Sequence, residues 1–146
     1  MKTIDKNGFS LIELLLVVTI LGIIAALGVP AYLKSQRMAE NRATFATLRT
    51  MSTAQVGCFS QRSRFCRLDE LNASNNNGFG RMDAPNLVRG AYVFEMGGVT
   101  PSDEDLKEGY TITARRVVNA FDDVVYKYEI DQTGRIWQIL PFAAAE

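Results

Sequence analysis

Leu14-Leu15-Leu16-Val17-Val18-Thr19-Ile20-Leu21-Gly22-Ile23-Ile24-Ala25-Ala26-Leu27-Gly28-Val29 is a run of sixteen residues without a charge. At ~1.5 Å per residue it makes roughly 24 Å of helix. Taken back through Glu13 to Phe9 it reaches about 31 Å, the thickness of a ~30 Å hydrocarbon core. Thr19, Gly22 and Gly28 are its soft spots, and glycine is tolerated in membrane helices. Pro30 follows at once. A helix that is apolar on every side needs apolar surroundings on every side. The 117 residues after Val29 are too few to wrap it as the core of a globule. A cleaved secretory signal is a poor match too. Its apolar region spans about 7–15 residues and ends at a small-residue site, whereas this run is longer and carries an acid near its start. Residues 9–29 are therefore expected to span a membrane.

Working outward, the rest of the 146-residue chain has the size of one modest domain. Hydrophobic residues make up 47 % and charged residues 22 %, which excludes wholesale disorder. There is no histidine, which removes Ser-His-Asp triads, Cys-His dyads and His-based metal sites. Two cysteines cannot form a four-thiolate zinc site. No catalytic residue, cofactor site or metal site is expected, and an enzyme is the least supported class. Sixteen basic and sixteen acidic residues give zero net charge, which argues against a strongly basic nucleic-acid binder. The neutrality hides a division. Residues 30–89 hold nine basic groups against four acidic, and residues 90–146 hold five against ten. The flanks of the span do not orient it, because Lys2 and Lys6 precede it while Lys34, Arg37 and Arg42 follow.

After Pro30 the polarity changes, but helix formers continue to about Phe59. Phe45, Leu48, Met51, Cys58 and Phe59 mark one stripe, read as the face that packs on a sheet. Residues 30–59 are thus the amphipathic second half of a helix of about 50 residues. Residues 60–89 read as a connecting loop region, with a polar, turn-rich stretch at Asn72–Gly78. Four period-two segments follow, Ala91–Met96, Tyr110–Val118, Val124–Asp131 and Arg135–Leu140, the last two joined by a tight turn at Gln132-Thr133-Gly134. The expected fold class is α+β, with the helix packed by its second half on a four-stranded antiparallel sheet within residues 90–146.

At Gly8-Phe9-Ser10-Leu11-Ile12-Glu13, and on through Pro30-Ala31-Tyr32, the chain resembles the type IV pilin and type II secretion pseudopilin family. The resemblance covers about 25 residues, and its parts are specific in combination: a short basic leader, a Gly-Phe junction, an acid five residues after the glycine and a proline closing the run. It implies that residues 1–8 are a leader, cut between Gly8 and Phe9 by a prepilin peptidase on the cytoplasmic side. It implies N-methylation of Phe9. It also implies a single inner-membrane span with the head in the periplasm, and then extraction by assembly machinery into a helical filament. The filament would contain copies of this chain and related minor pilins. Glycine at position 8 lets a peptidase approach the backbone closely. Glu13 is costly in lipid unless paired. The family reading pairs it with the Phe9 amino terminus of a neighbouring subunit, setting assembly register. The other reading leaves it in the headgroup region without a specific partner. Gly22, Gly28 and Pro30 would let the helix break or bend in the filament, since proline removes an intrahelical hydrogen bond; glycine as a packing notch is the competing account. The Asp-Gln-Thr-Gly turn resembles the last hairpin of many small bacterial pilins.

Outside the cytoplasm Cys58 and Cys66 can form a disulfide; two reduced, buried thiols are the alternative. Arg62, Arg64 and Arg67 lie among Phe59 and Phe65, a mixture able to hold DNA through phosphate contacts and stacking. The plainer reading sets that loop against an acidic face of the next subunit. Asp103, Glu104 and Asp105 read as a solvated acidic loop, since the ligand spacing of an EF-hand is absent. The leading expectation is a pilin, the structural subunit of a type IV pilus. A pseudopilin of a type II secretion system is the alternative. A membrane-tethered adhesion or DNA-binding module that never polymerises belongs to a different class.

Overall fold

The computed structural model describes residues 9–97, 100–116 and 126–140. The expected leader, Gly8 included, lies outside them, as do the far end of the second expected strand and the start of the third. Two compact units divide the chain, Met1–Ala39 and Glu40–Glu146. One helix, α1 (Leu11–Arg62), contributes to both.

In the first unit α1 is helical throughout. It carries Gly22 and Gly28 without interruption and has Pro30 inside it. The bend expected of these three positions belongs to the filament; in the single chain the helix is continuous across them. Ala25, Ala26 and Leu27 are good helix formers, and Pro30 costs the one hydrogen bond to the Ala26 carbonyl and a ring clash with that carbonyl without ending the helix. Neither glycine has another atom within 4 Å of where a Cβ would stand, so nothing in this chain requires a notch at either place.

The second unit is helix on sheet. The remaining elements are α2 (Leu68–Ser74), β1 (Arg81–Asp83), β2 (Asn86–Arg89), β3 (Tyr92–Met96), α3 (Asp105–Glu108), β4 (Thr111–Arg116), β5 (Lys127–Asp131) and β6 (Ile136–Leu140). All six strands pair antiparallel in sequence order. The α+β class holds, but the sheet has six strands rather than four. The additional β1 and β2 and the short α2 occupy the region read as a connecting loop. These two strands have three and four residues and one fully buried side chain between them, Leu87, too little for a period-two signal. Helix α1 also runs three residues past the expected end at Phe59.

Alternation builds the core. Register aligns Leu87, Phe94, Ala114 and Tyr128 in one row across the sheet, and Met96, Ile112, Ile130 and Ile136 in the next. All but the partly buried Ile136 are buried, and they cluster with Leu48, Met51 and Cys58 of α1. The expected stripe on α1 is therefore the packing face, except that Phe59 is 41 % exposed. Its contact is the Phe65 ring, 4.8 Å between centroids. Polar groups pin the helix to the sheet. The Tyr92 hydroxyl donates to Asn41 Oδ1 at 2.6 Å, and Arg116 pairs with Glu40 at 2.9 Å. The Tyr110 and Ser52 hydroxyls lie 3.0 Å apart. Burial pushes the Tyr92 and Tyr128 phenols above their ordinary range, so both remain neutral donors at any physiological pH. At the last hairpin the Gly134 N–H reaches the Asp131 carbonyl at 3.0 Å, and Gly134 sits at φ 74°, a conformation that favours glycine.

Candidate functional site

Two sites follow from the expected residues, one in each unit. In the first unit the helix starts where the resemblance places its acid. The Ser10 carbonyl accepts from the Glu13 and Leu14 N–H groups, at 3.1 and 3.2 Å. Glu13 thus stands in the first turn, where unpaired N–H groups favour negative charge. Its carboxylate has no hydrogen bond or ion pair with another side chain among the described residues. Around it Phe9, Leu11 and Ile12 are 74–81 % exposed, and the best 18-residue window of the helix has mean hydropathy 2.7 with none of it buried. The Thr19 hydroxyl turns back onto the Leu15 carbonyl, so it presents a methyl group rather than a polar surface. This segment is long and apolar enough to cross a bilayer.

In the second unit Cys58 and Cys66 are joined in a disulfide, with Cα atoms 5.9 Å apart. It closes the loop that leaves α1. Gln55, one turn before Cys58 and fully buried, clamps the far side of that loop: its Nε2 donates to the Cys66 carbonyl and its Oε1 accepts from the Cys66 N–H, both at 2.7 Å. A glutamine on the apolar face of a helix gave no sequence signal. Its buried amide is satisfied only because the loop's backbone meets it.

The three arginines of the loop converge on acids of their own chain. Glu70 accepts from Arg62 at 2.8 Å and from both terminal nitrogens of Arg64 at 2.9 and 2.8 Å. It also accepts from the Arg67 N–H at 3.0 Å, capping α2. Arg67 further binds the Pro101 carbonyl at 3.1 Å and pairs with Asp103, which lies 3.7 Å from Arg64 Nε. The basic cluster is thus largely compensated in place, three guanidinium groups against two carboxylates, and holds together the end of α1, the disulfide loop, α2 and the segment before α3. Sequence reasoning missed Glu70. The available signal was an acid three residues after Arg67, the capping-box position of the short helix. Asp105 is likewise occupied, accepting from the Ser102 N–H and hydroxyl at 3.0 and 2.6 Å. No cluster of three or more metal-ligating side chains occurs among the described residues.

Hydrogen bonds from Arg64 hold the Glu70 carboxyl down at about 2, helped by the Arg67 N–H and the nearby Arg62 charge and opposed by burial. A depressed carboxylate contributes stability that is complete above its unfolded pKa, ~4.3, and is lost as pH falls through the folded value. Thermal melts from pH 7 to pH 2 should therefore show the wild type losing about 2 kcal/mol through this one group. Glu70→Gln should melt lower at pH 7 and lack that part of the acid dependence. Parallel acid limbs for the two proteins would contradict the assignment.

A sequence model of the prokaryotic N-terminal methylation motif matches residues 5–29. The type IV major pilin protein PilA of Myxococcus xanthus is 40 % identical over 60 residues, which are 41 % of this chain and 27 % of that protein. The matched stretch is thus about a quarter of the relative's length. No solved structure matches significantly. The resemblance to the type IV pilin family is borne out, in an N-terminal motif of the prepilin type and in this partial likeness to a pilin.

Proposed function

We propose that this chain is a type IV pilin, a structural subunit that is cut between Gly8 and Phe9, N-methylated at Phe9 and assembled into a filament through its apolar N-terminal helix. The observation that carries this reading is one segment with three properties. It matches the N-terminal methylation motif over residues 5–29. It is helical from Leu11, and it is apolar and exposed around a lone Glu13. Exposed side chains of this kind need either lipid or the same segment of other subunits, and a pilin uses both in turn. The head would lie on the periplasmic side of the inner membrane and then on the filament surface. The likeness to a major pilin favours a pilus over the pseudopilus of a secretion system. No catalytic step is proposed.

Mass spectrometry of the mature subunit tests the processing. We expect an N-methylated chain beginning at Phe9, and Gly8→Ser or a larger residue at position 8 should leave residues 1–8 attached. An uncut wild-type chain in cells that hold a prepilin peptidase would remove this reading. Wild-type subunit in the sheared surface fraction, with secretion unimpaired when its gene is deleted, marks a pilus; subunit absent from that fraction, with secretion lost on deletion, marks a pseudopilus.

A further inference from the structure

Many cations of the second unit are engaged by acids of their own chain. Arg62, Arg64 and Arg67 are spent on Glu70 and Asp103, Arg115 on Glu95, and Arg116 on Glu40. Arg42 and Arg49 are exposed, and among the described residues neither side chain has an ion pair or hydrogen bond. They stand seven residues apart on α1, on the side away from the buried Leu48, Met51 and Gln55. That spacing places them on one face, about 10.5 Å apart along the axis. The surface between and beyond them is weakly polar. The Thr50 and Thr53 hydroxyls donate to the Ala46 and Arg49 carbonyls at 2.9 and 3.1 Å, which leaves their methyl groups outward. Val56 continues the face at 64 % exposed.

The same unit carries the complementary charge elsewhere. Glu104, whose side chain is 85 % exposed, and Glu108 lie one turn apart on the short α3 segment. Glu104 is engaged only by the exposed Lys107, and Glu108 has no side-chain partner among the described residues.

We propose that this face of α1 docks a second copy of the same chain, with Arg42 and Arg49 set against Glu104 and Glu108 of that copy. The proposal rests on the filament reading and names the head-to-head contact within it. Charge complementarity selects the occupant. A basic helix face whose two arginines have no carboxylate partner among the described residues meets an acidic turn left largely free, and in a homopolymer each subunit supplies both. Closeness matters, because at ~0.15 M salt the Debye length is about 8 Å and distant charges are screened. Desolvation of the threonine and valine surface then adds apolar burial to charges that would be worth little on an open rim.

A charge-swap experiment on the full-length chain in piliated cells tests this. Arg42→Glu with Arg49→Glu should cut the sheared filament yield at least tenfold, as should Glu104→Lys with Glu108→Lys. The four changes together should recover most of the yield. In every variant the membrane level of processed, disulfide-bonded subunit should equal wild type, which excludes misfolding as the cause. Wild-type yield from either double variant, or no recovery in the quadruple variant, would overturn the contact. If the arginine variant instead lowers membrane retention, the face binds anionic lipid headgroups and the proposal is wrong. Absence of filaments from the wild type itself would count against the pilin reading rather than against this surface.

Discussion

Glu13→Ala is expected to leave the chain in the membrane fraction and to lower filament yield by about 100-fold. The carboxylate stands in the first turn of α1 among exposed aliphatic side chains and has no side-chain partner among the described residues. An ionised acid within the apolar zone costs about 2.5–3.5 kcal/mol. On the filament reading proposed above, the group that would relieve that cost is the methylated ammonium of Phe9 on a neighbouring subunit. Removing the acid leaves that ammonium uncompensated, and about 3 kcal/mol corresponds to a ~100-fold change in equilibrium. A local role is also available, since an acid in the first turn favours the helix by ~0.3–1 kcal/mol. Glu13→Gln separates the two. Glutamine keeps the size and hydrogen bonding of the side chain but not its charge, so it should fail in assembly almost as badly as alanine. Sheared-surface and membrane fractions, compared by immunoblot, give the result. Normal filament yield from Glu13→Gln would reduce Glu13 to a helix-starting residue.

Removing the disulfide should lower the melting temperature of the head by roughly 10–20 °C. Closing a loop of about nine residues contributes roughly 2.5 kcal/mol in the chain-entropy account, and each kcal/mol shifts a domain of this size by about 4–8 °C. Cys58→Ala with Cys66→Ala also empties two buried positions. Gln55 opposes the loss, because its two hydrogen bonds keep Cys66 beside α1 without the sulfur bridge. Near-UV circular dichroism melts of the detergent-solubilised full chain, oxidised, reduced and doubly substituted, measure the effect. A change under about 3 °C would show that Gln55 and the Glu70 cluster hold the loop unaided. The acidic limb is then a second handle: with the bridge gone, protonation of Glu70 should open the loop at a higher pH than in the wild type.

The apolar helix was legible because it obeys one local rule that no tertiary contact has to complete. Sixteen uncharged residues make a helix that needs an apolar environment wherever the rest of the chain goes. The strands β3 to β5 were legible for a similar reason, since each alternates over five or six residues and buries one side, whereas β6, partly buried on both faces, was legible from the tight turn that joins it to β5. Strands β1 and β2 were not. They are short, rich in charged or polar residues, and exist as strands because β3 offers its edge. The division of charge was visible along the chain but its meaning was not. Nine basic residues in the middle segment suggested a surface for DNA or for a neighbour, yet three of them face Glu70 and Asp103 of their own chain.

The sequence by itself determined the membrane-competent helix, the prepilin-type motif around Gly8, Phe9 and Glu13, and the α+β class. The helix and the class follow from composition and spacing, which are local quantities, and the motif from the family resemblance of those residues. Only the tertiary structure decided which cations are spent and which remain. An arginine is neutralised by whatever acid the fold brings within a few ångströms, and Glu70 reaches Arg62 and Arg64 across the disulfide loop, not along a helix face. It likewise decided that Gln55, polar and on the core face of α1, is buried at no cost, because the backbone of Cys66 arrives to meet both ends of its amide.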